Sequence, residues 1–107
     1  MIIEAPNLNY IKDLSGGDTE FEEKMISILK SELPEEVSAY KKSIENKDFK
    51  QSAEIVHKVK HKISILGLEK SYDFAVNHEK QLLSENANEH DDFMKLLTVM
   101  SNFLDTL

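Results

Sequence analysis

The chain has no cysteine, no tryptophan and no arginine, and its 107 residues include only three glycines and two prolines. Without thiols there can be no disulfide, no cysteine-ligated metal centre and no thiol catalysis. All thirteen basic residues are lysine, so bidentate guanidinium recognition of phosphate is unavailable. No apolar run approaches the ~18 residues needed to cross a bilayer, and no basic-then-apolar signal segment opens the chain. A cytoplasmic protein without a membrane partner is the expectation. Gly16-Gly17 is not followed by the Gly-Lys-Ser/Thr of a nucleotide-binding loop and reads as a helix break, so ATP binding is unsupported. The acid pairs Glu22-Glu23, Glu35-Glu36 and Asp91-Asp92 are neighbours in sequence and diverge on a helix instead of converging as an acid/base pair. No serine has the strand-to-helix context of a nucleophile elbow. These absences argue against an autonomous enzyme, and no cofactor or metal is expected.

What is present fits one domain spanning 1–107, large enough to bury roughly two-thirds of its unfolded surface. The formal net charge of −7 disfavours nucleic acid and anionic membranes, whose phosphates such a surface repels. The charge is unevenly placed. Between Lys47 and Lys70 stand six lysines (47, 50, 58, 60, 62 and 70) against three acids, Asp48, Glu54 and Glu69, whereas the rest carries seven lysines against seventeen acids. One electropositive helix on an acidic body follows.

Helix formers and apolar residues at three- and four-residue steps predict an all-α fold. Asn7 can cap a short first helix through Tyr10, Ile11 and Leu14, which Ser15-Gly16-Gly17 ends. Asp18 or Thr19 caps a long second helix with Glu20, Glu22 and Glu23 in its first turn and a stripe of Phe21, Met25, Ile28 and Leu29. Pro34 should kink that helix before it continues through Val37, Tyr40 and Ile44. Asn46-Lys47-Asp48 is a turn, with Asp48 capping a third helix that carries Phe49, Ala53, Val56, Ile63 and Leu66 inward and ends near Gly67. Glu69 to about Ser84 forms the fourth, with core candidates Tyr72, Ala75 or Val76, and Leu82 or Leu83. Asn86-Ala87-Asn88 is its exit loop. The last, about Glu89 to Thr106, places Phe93, Leu96, Leu97, Met100, Phe103, Leu104 and Leu107 on one face. Short connections between long amphipathic helices predict an antiparallel up-down four-helix bundle with the short N-terminal helix as a lid. A monomer is expected, and Met1 with helix signals close behind it favours a stand-alone chain.

The stretch Ala53-Glu-Ile-Val-His57-Lys-Val-Lys60-His61-Lys-Ile-Ser64-Ile-Leu-Gly67 sets a histidine among the lysines. It resembles the signature of histidine phosphotransfer (HPt) domains, in which an acceptor His is followed by Lys at +3, usually Gly at +4, a small residue at +7 and Gly at +10. His57, Lys60, Ser64 and Gly67 match; His61 departs, standing where the family keeps a small residue that lets a partner approach. The upstream run Leu14-Ser-Gly-Gly-Asp18-Thr-Glu-Phe21, with Met25, Ile26 and Ser31-Glu-Leu-Pro34, extends the likeness over nearly the whole chain. The resemblance implies a phosphocarrier in a two-component phosphorelay, in which His57 relays a phosphoryl group between aspartates of response-regulator receiver domains. A hybrid histidine kinase is a further candidate partner. The receiver would supply the magnesium ion and most of the catalytic machinery.

The residues themselves allow that chemistry. At about 100° per residue, His57 projects roughly 80° from Phe49 and about 100° from Val56, at the flank of the apolar arc. A neutral imidazole there exposes a nucleophilic lone pair without needing a base. Lys60, one turn on, can reach phosphoryl oxygens, and Lys58, about 100° away, can help a partner dock. Ser64 is either packing or a small residue that leaves the acceptor open. Gly67 is structural. His61 could be a second acceptor, a hydrogen-bonding neighbour, half of a metal site or a docking-surface histidine. His78 and His90 carry no signal and are expected on the surface. In the family a glutamine about 22 residues beyond the acceptor often hydrogen-bonds near it; here that place holds Glu79, which would either orient the ring or be a solvated glutamate. The rival reading is a non-catalytic helical interaction module, with a metal-binding bundle as a third.

Overall fold

The computed structural model describes residues 4–107, and among these there are five helices and no strand. They are α1 (Asn9–Ser15), α2 (Thr19–Glu45), α3 (Phe49–Ile65), α4 (Glu69–Leu83) and α5 (His90–Asp105). At ~1.5 Å per residue, the 27 residues of α2 reach about 40 Å, which sets the 44 Å long dimension of the molecule. Among the described residues no helix is long and apolar enough to cross a membrane.

The helix boundaries follow from local chemistry. The Asp18 carboxylate accepts from the Phe21 N–H and the Asp48 carboxylate from the Gln51 N–H, each satisfying a donor that the first turn leaves free. The first helix starts later than expected. Leu8 holds its N-cap position, and Asn7 instead accepts from the Asn9 N–H at 3.0 Å. Pro34 does not break α2, which runs unbroken across it.

Three helices end in the same way. After α3, the Leu68 N–H donates to the Ile63 carbonyl and the Gly67 N–H to that of Ser64, a Schellman closure with Gly67 left-handed at φ 75°. Lys47 (φ 55°) and Glu85 (φ 61°) occupy the same position after α2 and α4 without glycine's freedom. Glycine is required at Gly67 for a second reason: a Cβ there would stand 2.6 Å from the Asn7 side chain. The N-terminal segment is strapped across this corner. The Asn7 N–H donates to the Leu66 carbonyl, and the Glu4 carboxylate accepts from the N–H groups of Lys70 and Ser71 at the start of α4. Burial raises the Glu4 pKa, but those hydrogen bonds, the Ser71 hydroxyl and the Lys70 charge outweigh it and hold the carboxyl below its usual range.

The core is continuous. Ile11, Leu29, Leu33, Val56, Val59, Ile63, Leu82, Phe93, Leu97 and Met100 are buried in it, and α3 packs against both α2 and α4. Several residues expected on the apolar faces lie outside it: Phe21, Ile28, Tyr72 and Leu107 are exposed, as are Tyr10 and Leu14 of α1, and of the Leu82 and Leu83 alternatives it is Leu82 that is buried. The true stripe of α2 runs through Leu29, Leu33 and Tyr40, which turns Phe21 and Ile28 outward. On α4 it is Ala75, His78 and Leu82 that face in.

His78 and His90 correct the expectation of surface histidines. His78 is fully buried, and His90 is half-buried. The Tyr40 hydroxyl lies 2.8 Å from His78 Nε2 and 2.9 Å from His90 Nδ1, and Phe74 and Phe93 flank the His78 ring. A phenol has one proton, so it donates to one ring and accepts from the other. Among the described residues His78 Nδ1 has no partner. A bare lone pair is cheaper to bury unpaired than an N–H, which assigns His78 Nε2–H as donor to Tyr40 and Tyr40 as donor to His90. Burial raises the Tyr40 pKa, with the Asp91 charge adding to it. Burial, and secondarily His90, lowers that of His78 to about 4.

Candidate functional site

His57 stands on the outward flank of α3, beside the buried Val56 and Ala53, with its side chain 58% exposed. Its Nδ1 lies 3.3 Å from one carboxylate oxygen of Glu79 on α4, and the other oxygen is 2.8 Å from Lys60 Nζ. Glu79 thus joins His57 to Lys60. Position 79 is reached because Ala75, His78 and Leu82 bury the inner face of α4, leaving Glu79 at the edge where α4 meets α3. The Lys60 stem is largely covered, with its ammonium 5.7 Å from the centre of the Tyr72 ring. Tyr72, expected in the core, instead flanks this edge.

The carboxylate beside Nδ1 favours a proton on that nitrogen, and the tautomer so fixed leaves Nε2 as the free lone pair. Lys60 neutralises Glu79, which tempers the repulsion a carboxylate would otherwise offer to an arriving anion. Next to the ring is an open groove of about 390 Å³ between α3 and α4, lined by Lys50, Ala53, Glu54, Lys58, Glu79 and Leu83. Lys58 is exposed on its rim and free to meet a partner.

The remaining site residues lie one turn and more along α3. The His61 ring is perpendicular to that of His57, with centres 5.6 Å apart, and it is exposed. His61 and Ser64 border a second groove with Tyr10, Ile65, Tyr72 and Asp73, so the histidine pair divides two adjacent depressions. Gly67 closes the helix below them, away from the Glu79 cluster.

The electropositive helix is less so than its lysine count suggests. Lys62 is buried and spanned by Glu32 at 3.1 Å and Glu36 at 3.0 Å, both on α2. It fastens α3 to α2 and adds no free charge to the His57 face. With Lys60 held by Glu79, the positive charge offered around the groove comes from Lys50 and Lys58. Among the described residues, no three His, Asp, Glu or Cys side chains converge as metal ligands. Comparison of the chain with protein-family models, with curated proteins and with solved structures finds no match.

Proposed function

We propose that the protein is a histidine phosphocarrier, resembling HPt domains, whose His57 relays a phosphoryl group between receiver-domain aspartates. The observation that carries this reading is the exposed His57 ring with one nitrogen against the Glu79 carboxylate and the other open, beside a lysine one turn away. In the proposed step the Nε2 lone pair attacks phosphorus, the N–P bond forms as the P–O bond to aspartate breaks, and the aspartate leaves as carboxylate. The Nδ1 proton stays on the ring, where the Glu79 carboxylate stabilises the positive charge that develops. Phosphoryl transfer asks chiefly for positioning and charge stabilisation, and the chain offers both without a nucleotide loop.

In this reading α2 to α5 form an antiparallel up-down four-helix bundle with α1 as its lid, acting as a cytoplasmic monomer. The receiver would dock across the α3–α4 edge, its acidic centre drawn by Lys50 and Lys58. The test is incubation with a receiver domain phosphorylated on aspartate. Label that appears on this chain and is lost in acid but kept in base is the expected result; no transfer from any of a panel of receivers would leave the interaction-module reading in its place.

A further inference from the structure

We propose that His57 and His61 together form a binding site for a divalent transition ion, zinc or copper, with Glu79 as the carboxylate behind the first ligand. Two imidazoles at i and i+4 on a helix lie on one face and can share one ion. Ligation at ~2.0–2.1 Å brings two ring centres to roughly 4.5–5.5 Å of each other; here they are 5.6 Å apart. Both rings are exposed, and the His61 side chain makes no hydrogen bond among the described residues, which leaves its ring free to turn toward a shared ion.

The surroundings supply what a metal-binding histidine needs. Ligating histidines commonly give their second ring nitrogen to a carboxylate, which fixes the tautomer and strengthens the donor. Glu79 stands 3.3 Å from His57 Nδ1 and leaves Nε2 outward. Among the described residues no third protein ligand converges, so water completes the shell, and neutral imidazole donors select zinc or copper(II) over magnesium or calcium. If His57 is also the phosphoryl acceptor, a consequence that rests on the preceding reading, the metal occupies the same nitrogen and the two modifications exclude each other.

The test is titration of the unphosphorylated full chain with Zn²⁺ and with Cu²⁺ by calorimetry, alongside His57→Gln, His61→Gln and Glu79→Gln. One ion per chain is expected, with affinity at least about tenfold weaker in either histidine variant and about tenfold weaker in Glu79→Gln. Equal affinity in wild type and His61→Gln, or no saturable binding by the wild type, overturns the site. The titration involves no phosphate, so its failure leaves the phosphocarrier reading intact, and a failed phosphotransfer leaves the metal site intact.

Discussion

Acidification should destabilise this protein through His78, the inward-facing neighbour of Glu79 on α4. Its ring is fully buried between Phe74 and Phe93, touches Tyr40 from α2 and faces His90 from α5, with Asp91 acting on the Tyr40 hydroxyl. The folded pKa is about 4 against an ordinary 6.5. Because the folded value is the lower, the unfolded chain binds the proton first. Stability is therefore complete above about pH 6.5, falls as pH drops through the window down to about 4, and levels off below it. Between pH 7.5 and 4.5 that single ring accounts for a loss on the order of 2–3 kcal/mol. Against a typical total of roughly 5–15 kcal/mol this is a large share. The assay is urea denaturation followed by helical circular dichroism at half-unit pH steps, for the wild type and for His78→Gln, which keeps a donor for Tyr40 but does not titrate. Carboxylates titrate in both proteins and cancel in the difference. Parallel stability curves from pH 7.5 to 4.5 would refute the reasoning.

Three further outcomes follow from particular contacts. Lys60→Ala should lower phosphohistidine yield by about tenfold, since it exposes the phosphoryl group to an unneutralised Glu79, and adding Glu79→Gln should restore part of the yield; equal yields in all three proteins would leave Lys60 a packing role. In thermal or urea unfolding, Gly67→Ala should cost about 2 kcal/mol because of its left-handed backbone and the Asn7 contact, while Lys47→Gly should gain up to about 1 kcal/mol at the equivalent turn. His61→Gly should broaden the set of receivers that exchange phosphate, at about 1 kcal/mol in helix stability, as measured by transfer rates to a receiver panel; an unchanged ranking would show that the ring does not set specificity.

The starts of α2 and α3 were legible because Asp18 and Asp48 are strong caps ahead of apolar periodicity, and the corner at Gly67 because glycine is the natural left-handed terminator. The faces were harder to read. On α4, Tyr72 and Leu83 compete with Ala75 and Leu82 for the inner stripe, and a polar His78 decides between them. Its spacing from Phe74, Ala75 and Leu82 marks it as inward-facing, but the partner that makes burial tolerable, Tyr40, is 38 residues away and invisible to local pattern. Lys62 is similar: it shares a face with Ile55 and Val59, and only the α2 carboxylates Glu32 and Glu36, brought in by packing, explain its burial. The position of Glu79 relative to His57 was reachable by counting along a family pattern. Its simultaneous contact with Lys60 was not, because that depends on how α3 and α4 are rotated against each other.

The central claim is that His57, and no other histidine, carries the phosphoryl group. Its most direct test is to expose wild type, His57→Gln and His61→Gln to the same phosphorylated receiver and compare acid-labile label on each chain. Label retained in His61→Gln and abolished in His57→Gln is the predicted result; label that persists in His57→Gln and disappears in His61→Gln would contradict it.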